Sequence, residues 1–354
     1  MLGPIIISVP NTELSEKDRK VLEHPMIGGV ILFSENFINK EQLRILIHTI
    51  KKIKDPELLV FVDQEGGRIQ RFRKDFFHLP SHQELGRIYD LDINDGIRSA
   101  ELTGFIMAAE LIAHGIDSSF SPVVDINHGL SKVISDRSFH SDPSVVSQMA
   151  ESYVKGMSSA GMKAVAKHFP GHGAVIADSH TDQPIDTRPI DEIEKDIKPY
   201  LDLIKSGLPG IMTAHIIYPS IDDLITTFST KWLKEILREK YSYDGLIFSD
   251  DLTMQSAVEI GSMQKRINQA LHAGCDFILW CHPDESIDSV LSELPIDMID
   301  QSKSYQKVRP SKDLFDQNML ENGIQELNAL LNSCLLYTSP SPRDRTRSRM
   351  PSSA

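Results

Sequence analysis

The stretch AVAKHFPGHG, residues 164–173, joins a short apolar run to a loop that is dense in ionisable side chains. The run starts near Met162 and predicts a buried strand that ends at Lys167 and His168. Proline and glycine at positions 170 and 171 then indicate a loop. The sequence beyond the strand contains three further ionisable residues: His172, Asp178 and His180. Histidine rings in a loop can simply cap backbone groups, so the rest of the chain decides whether this stretch is functional.

The composition is that of a globular protein with a large core. Of the 354 residues, 40% are hydrophobic and 25% are charged, which allows one large domain or two ordinary ones. No apolar run approaches the ~20 residues that a membrane-spanning helix needs, so we expect no membrane partner. The net charge of −13 argues against a nucleic-acid partner.

Two features indicate a reducing compartment. The first residues, MLGPIIISV, lack the basic start and the small-residue cleavage site of a signal peptide, so we interpret them as a strand. Cys275, Cys281 and Cys334 are odd in number and scattered, which argues against a disulfide framework. We therefore expect a cytoplasmic protein.

The last residues differ from the body of the chain. Residues 335–354 are rich in Ser, Pro and Arg, contain four Arg and one Asp, and show no apolar period. A basic anchoring tail is one interpretation. We prefer a translated cloning remnant, disordered and not part of the fold. The predicted domain therefore covers residues 1–334.

Short apolar strands alternate with amphipathic helices along most of the chain. The predicted strands cover residues 4–8, 28–33, 58–62, 119–124, 162–166, 210–215, 245–249 and 275–280. Helices are predicted to start at Ser15 and Asn39 and to cover 97–114, 145–160, 190–206, 231–240 and 256–273. Eight such units favour a single α/β domain, a (β/α)8 TIM-type barrel. A doubly wound open sheet is the alternative, but no Gly-x-Gly-x-x-Gly follows the first strand.

Ionisable side chains follow five successive predicted strands. They are Asp63, Asp125, Lys167 with His168, His215, and Asp250. Arg71 and Arg137 lie in loops that can reach the same place. Because active sites of these barrels lie at the carboxyl ends of the strands, these groups predict a site at the barrel mouth. A strand-end residue often only caps the next helix, but five in succession argue against coincidence.

Two chemistries could use such a site. Zinc hydrolysis could draw on the histidines and an aspartate. However, the His-x-His pair of barrel metallohydrolases is missing after the first strand, and Lys167 would place a positive charge beside the ion. Glycoside cleavage fits better, because it needs a carboxylate nucleophile, a proton donor and groups that grip hydroxyls. Asp250 suits the first task, and His180, with Asp178 nearby to orient its ring, suits the second.

The motifs together resemble a known family. They are DQEGGR (63–68), DRSF (136–139), KHFPGHG (167–173), DSH (178–180) and FSDDL (248–252). Their order and sequence are similar to glycoside hydrolase family 3, and within it to the single-domain bacterial β-N-acetylglucosaminidases, from about Gly3 to about residue 300. Larger members add a second domain that carries a Glu acid/base, for which this chain has no room.

The resemblance implies a role for each motif. Asp250, rather than Asp251, would be the nucleophile, and His180, oriented by Asp178, the acid/base. The residues that would bind N-acetylglucosamine are Asp63, Arg71, Arg137, Lys167 and His168, with Asp125 and His215 supporting them from behind. The implied activity is removal of terminal N-acetylglucosamine from anhydro-muropeptides during cell-wall recycling. We expect no metal, no organic cofactor and a monomer.

Two alternatives remain open. A neutral histidine base tolerates an anionic acceptor, so phosphate could replace water and make the protein a β-N-acetylglucosaminide phosphorylase. Alternatively, the same barrel could bind muropeptides without cleaving them, since a fold does not dictate a function. Such a binding protein would be expected to lack Asp250 or His180, and both are present.

Overall fold

The computed structural model describes residues 2–176, 183–295, 305–311 and 314–338, with side chains to residue 333. Asp178 and His180 therefore lie outside the described residues. Eight strands form one parallel sheet. They are β1 (Ile5–Ser8), β2 (Ile27–Leu32), β3 (Leu59–Val62), β4 (Ser118–Ser119), β5 (Val165–Phe169), β6 (Gly210–Thr213), β7 (Leu246–Asp251) and β8 (Phe277–Trp280).

The sheet closes on itself. Its order is β4-β3-β2-β1-β8-β7-β6-β5. The chain just after β4 completes the ring, because Val124 N donates to Lys167 O at 2.9 Å and Lys167 N donates to Pro122 O at 3.1 Å. The predicted (β/α)8 barrel is confirmed. The strand predicted over 119–124 is shorter than expected, since Pro122 has no N–H to donate to a ladder.

Aromatic rings fill the barrel interior. Phe61 on β3 lies 5.9 Å from Phe248 on β7, centroid to centroid, although these strands are on opposite sides of the sheet order. Phe120 stacks on Phe61 at 5.0 Å, and Phe277 on Phe248 at 5.1 Å. All four rings are fully buried. The interior is therefore a packed core, and only its carboxyl end is available for a ligand.

Helices cover the outside of the barrel. Their bounds are α1 Glu16–Glu23, α2 Lys40–Lys51, α3 His82–Leu91, α4 Ile93–Ala113, α5 Pro143–Ser159, α6 Ile190–Lys205, α7 Lys231–Lys240, α8 Met263–Ala273, α9 Ile287–Glu293 and α10 Gln317–Thr338. The predicted cap of α1 is present, since the Ser15 side chain accepts from Asp18 N and the Asp18 side chain accepts from Ser15 N. Local chemistry thus decides where this helix begins.

Three features differ from the sequence expectations. The helix predicted over 256–273 is broken, because Gly261 has a φ of +125° and Ser262 caps a new helix. Strand β5 begins at Val165, later than Met162, and continues one residue past His168 to Phe169. Helix α10 has no counterpart among the predicted helices.

Helix α3 was not predicted, although its start has a clear signal. Ser81 and Glu84 form a reciprocal capping box, the Ser-x-x-Glu pattern that marks many helix starts.

Within the part of the chain that the structure describes, no helix has both the length and the apolar character that crossing a bilayer requires.

Helices α4 and α5 approach each other closely through a glycine on each. A Cβ added to Gly156 would lie 1.9 Å from the Glu101 carbonyl oxygen, and one added to Gly104 would lie 2.2 Å from the Tyr153 carbonyl oxygen. Backbone atoms occupy both positions, so a side chain there would separate the helices.

Substitution Gly156→Ala should lower the free energy of unfolding by about 1–3 kcal/mol, because the overpacked helices must move apart. Alanine is intrinsically more favourable than glycine in a helix by about 1 kcal/mol, so this substitution would stabilise the protein if no backbone atom were in the way. The sign of the change in the free energy of unfolding is therefore a sharp test. The matched control is Gly323→Ala in α10, where the nearest atom would be a Phe105 ring carbon at 3.5 Å. Urea unfolding should find the control neutral or more stable. Equal stabilisation of both variants would contradict the close approach.

Candidate active site

A cavity of about 630 Å³ opens at the carboxyl ends of the strands. It is lined by six of the residues singled out from the sequence: Asp63, Arg71, Arg137, Lys167, His168 and Asp250. Asp125 and His215 do not line it and lie behind it, fully buried. The six residues therefore lie together at the carboxyl ends of the strands, which is where active sites of such barrels are found.

The ammonium group of Lys167 is buried between two carboxylates. Its Nζ lies 2.7 Å from Asp63 Oδ1 and 2.7 Å from Glu65 Oε1. Asp63 follows β3 directly, and Glu65 lies in a short hairpin, Gln64–Gly66 with Ile69–Gln70. Lys167 comes from β5, so this contact ties together the ends of two barrel strands.

Arg137 completes a charge-balanced group of four. Its Nε and Nη2 donate to the two oxygens of Glu65, each at 2.8 Å. This is the bidentate geometry in which guanidinium and carboxylate interact most strongly. The Arg137 carbonyl is held in turn by His82, whose Nδ1 lies 2.8 Å from it. The loop after β4 is thus fixed to the β3 end.

The ion pairs outweigh the effect of burial on these groups. Burial alone would raise the pKa of Glu65, but Arg137 and Lys167 hold it well below its usual value. The pKa of Asp63 is lowered in the same way, by Lys167 and Arg71. Burial would lower the pKa of Lys167, yet the two carboxylates raise it. All these side chains are therefore ionised at neutral pH.

His168 is oriented by Asp125. Its Nδ1 lies 2.8 Å from Asp125 Oδ2, so the ring donates to that carboxylate through Nδ1. Arg137 Nη2 lies 3.4 Å from Nε2 of the same ring. Asp125 Oδ1 also accepts from the backbone N of His172 at 2.7 Å, and burial lowers the pKa of the His172 ring to about 4. Asp125 thus organises the histidine loop from beneath.

Arg71 lies beside Asp63 on one wall of the cavity. Its Nη2 lies 3.4 Å from Asp63 Oδ2, and its guanidinium carbon lies 5.3 Å from the centre of the Phe33 ring. His282, with a φ of +54°, contacts the other part of this wall, with its ring 5.0 Å from that of Phe33. The wall thus combines a cation with flat apolar surface, a combination suited to a sugar ring.

The two aspartates that end β7 differ in their surroundings. Asp251 accepts from Thr253 N at 2.9 Å, Thr253 Oγ1 at 2.5 Å and Cys281 N at 3.0 Å. Its carboxylate is thus built into the turn after the strand. Both aspartates line the cavity, and Asp250 Oδ1 accepts from Asp251 N at 2.8 Å. His215 Nε2 lies 3.0 Å from the Asp251 carbonyl oxygen and so supports the same strand end.

Sequence reasoning missed Glu65 and His282. Glu65 belongs to the same DQEGGR motif as Asp63, and a second acid beside a predicted cation-rich mouth was an available signal. His282 had no such signal, because its place in the cavity depends on the course of the chain after β8. Neither residue was assigned a role in advance.

The arrangement can bind a polyhydroxylated ligand. Carboxylate, ammonium, guanidinium and imidazole groups converge on one cavity, with Asp250 among them. Over the described ranges 2–176, 183–295, 305–311 and 314–338, no group of three or more His, Cys, Asp or Glu could hold a metal ion.

Comparison with known proteins agrees with the predicted family. Residues 6–310 match the model of the glycosyl hydrolase family 3 N-terminal domain. The chain therefore belongs to glycoside hydrolase family 3, and the prediction of a glycoside hydrolase is confirmed.

Relatives and solved structures narrow the comparison. The beta-hexosaminidase of Nitrosospira multiformis is 47% identical over 298 residues, which are 84% of this chain and 85% of that protein. NagZ from Neisseria gonorrhoeae, crystallised in complex with N-trifluoroacetyl-D-glucosamine, is 38% identical with a TM-score of 0.86, covering 94% of this chain and 98% of that one. A second crystal structure of that NagZ, in complex with zinc ion, has 37% identity and a TM-score of 0.85 over the same shares. The chain is thus similar to single-domain β-hexosaminidases.

Substitution Glu65→Gln should lower the free energy of unfolding at pH 7 by about 3–5 kcal/mol, because it leaves buried cations undercompensated. The pKa of Glu65 is lowered on folding, so its contribution is present above the unfolded-state value near 4.5 and is lost as pH falls through the folded value. The difference between the two proteins should therefore shrink in acid.

The matched control is Asp136→Asn. It removes a 2.7 Å ion pair with Arg68 at the same mouth, in which both side chains are at least a third exposed. Exposed pairs contribute less than about 1 kcal/mol. Urea unfolding at pH 7 and at pH 4 measures both variants, and equal small losses would show that burial of the Lys167 group is unimportant.

Proposed function

We propose that this protein is a retaining exo-β-N-acetylglucosaminidase that removes terminal N-acetylglucosamine from peptidoglycan fragments, the anhydro-muropeptides. The observation that carries the proposal is that Asp250 lines the same cavity as Asp63 and Lys167. Sugar cleavage needs a carboxylate nucleophile and a set of groups that bind the sugar hydroxyls, and this cavity contains candidates for both.

The sugar is bound by Asp63, Arg71, Arg137, Lys167 and His168. Asp63 offers acceptors, and the three cations offer donors whose positions are fixed by ion pairs. Donors that are already ordered lose little entropy when a hydroxyl replaces water. The likeness to the gonococcal NagZ, crystallised with an N-acylated glucosamine, supports N-acetylglucosamine as the bound unit.

The first chemical step joins the sugar to Asp250. The carboxylate attacks the anomeric carbon, the bond to the leaving oxygen breaks, and His180 gives that oxygen its proton. Asp250 suits the attack because it ends a buried strand, which holds it rigidly. Asp251 suits it less, since its carboxylate already accepts two hydrogen bonds from Thr253 in the turn and one from Cys281 N after β8.

The second step releases the sugar. His180, now neutral, takes a proton from water, whose oxygen attacks the anomeric carbon and displaces Asp250, so configuration is retained overall. Asp178, two residues before His180, orients the ring in this proposal. The odd number and scattered positions of the cysteines support a cytoplasmic location. We further propose that the protein is a monomer and that residues 335–354 are a non-native addition.

Substitution Asp250→Ala should abolish hydrolysis of 4-nitrophenyl N-acetyl-β-glucosaminide, because no covalent intermediate can form. An activated substrate whose fluorine slows the second step should leave one sugar on wild-type Asp250, found by peptide mass spectrometry. Asp251→Asn should still be labelled, and at Asp250. A wild-type protein that binds but never cleaves would favour the muropeptide-binding alternative, and label on Asp251 would refute the nucleophile.

Substitution His180→Ala should affect substrates according to their leaving group. The parameter kcat/KM reports the first step, which needs a proton only when the leaving group is poor. We expect a loss of about 10²–10⁴-fold for N,N′-diacetylchitobiose and a much smaller loss for the 4-nitrophenyl glycoside. Equal losses would exclude His180 as the acid. Repeating the wild-type assay in phosphate buffer tests the phosphorylase alternative through sugar-1-phosphate formation.

A further inference from the structure

A second charged cluster lies outside the cavity. It consists of Asp186, Arg188, Asp196 on α6, and His128, and none of the four is among the described residues that line the cavity. Arg188 Nη2 lies 2.7 Å from Asp186 Oδ2 and 2.6 Å from Asp196 Oδ2. His128 Nε2 lies 2.9 Å from Asp196 Oδ1. Asp196 therefore receives a contact on each of its oxygens.

Because its charged side chains are buried, this cluster is not expected to contribute much net stability. The side chains of Asp186 and Asp196 are each 2% exposed, and that of Arg188 is 23% exposed. Taking charges out of water can cost as much as their attraction returns, so a buried ion pair is weak evidence for stabilisation. The role of the cluster is better inferred from the chain segments that its contacts hold in place.

One segment is the chain that leaves β5. A Cβ added to Gly171 would lie 2.9 Å from Asp196 Cβ, and Tyr218 Oη donates to the Gly171 carbonyl at 2.5 Å. Two residues on, a Cβ added to Gly173 would lie 1.7 Å from the Ile126 carbonyl oxygen. The backbone is thus packed against α6 and the loop after β4 as far as position 173.

The other segment is the chain that returns to α6. Arg188 N donates to Asp186 Oδ1 at 3.0 Å, and Asp186 N donates to the Ile217 carbonyl at 2.9 Å. Ile217 N in turn donates to the Pro184 carbonyl at 3.1 Å. From position 184 onward the chain is therefore fixed to the Ile217–Tyr218 strand and, through Arg188, to Asp196.

Both segments meet at Asp196, and the sequence between them contains Asp178 and His180. We propose that Arg188, with Asp186 and Asp196, is a positioning group that fixes the two ends of the segment carrying the acid/base. This inference rests on the proposed function. Fixed ends restrict where the residues between them can lie, and an acid displaced by about 1 Å can lose up to about 10²-fold in rate.

The test is Arg188→Gln, assayed for kcat/KM on two substrates. We expect the loss on N,N′-diacetylchitobiose to exceed the loss on 4-nitrophenyl N-acetyl-β-glucosaminide by about tenfold or more. The KM for the aryl glycoside should stay close to the wild-type value, because the sugar-binding cavity is untouched. Arg188→Lys, which keeps the charge but not the bidentate fork, should give an intermediate ratio and serves if the glutamine variant does not fold.

The matched control is Arg238→Gln. Arg238 is 26% exposed and lies 2.7 Å from Asp276 Oδ2, so it is a half-buried Arg–Asp pair like Arg188, but it lies before β7 and β8, at the other end of the barrel. Its loss should lower the melting temperature and affect both substrates equally. If Arg188→Gln also affects them equally, or not at all, the positioning role is refuted.

A double variant separates this inference from the proposed function. In the His180→Ala background, Arg188→Gln should add nothing to the leaving-group ratio, because the group that it positions is gone. A further change of the ratio in that background would refute the inference. If His180→Ala itself shows no leaving-group dependence, the acid assignment fails and the inference fails with it. If only Arg188→Gln lacks the dependence, the inference alone fails.

Discussion

The site depends on one buried positive charge. The Lys167 side chain is 3% exposed, and an ammonium group can be kept there only if carboxylates replace its water. Asp63 and Glu65 do so, and Arg137 balances the second carboxylate. Two cations and two anions thus compensate one another, and Arg71 lies 3.4 Å from Asp63 as a further cation. These contacts order the charged side chains of the cavity, which we propose bind the hydroxyl groups of the ligand.

In the proposed mechanism, the barrel separates the sugar-binding group from the reacting carboxylate. Asp63 follows β3, whereas Asp250 ends β7, and the contact between Phe61 and Phe248 shows that these two strands face each other across the interior. A ring bound by the β3 side therefore presents its other side toward β7. Since the closed sheet fixes both strands, the distance between Asp63 and Asp250 is set by the barrel and not by a loop.

Much of this could be predicted from the sequence, because the determinants are local. The alternation of apolar runs and amphipathic helices fixed the barrel, and the strand-end rule identified Asp63, Lys167 and Asp250 without any knowledge of their contacts. What could not be predicted depends on the path of the chain in space. Glu65 meets Lys167 from a hairpin that follows β3, and His282 lines the cavity from the chain that follows β8. The break before Ser262 depends on the backbone of Gly261, whose φ is +125°.

In the proposed mechanism, the two catalytic tasks belong to different kinds of structural element. A nucleophile must hold one position against the anomeric carbon, and a residue that ends a buried strand does this without further support. A proton donor must serve first the leaving oxygen and then the attacking water, so it is better carried on a connection between a strand and a helix. Such a connection loses precision unless its ends are fixed. In this barrel Gly171 is packed against Asp196 before that connection, and Arg188 pairs with Asp196 after it. In the proposed mechanism Asp250 is held by its strand, whereas the acid depends for its position on an ion-pair cluster outside the cavity.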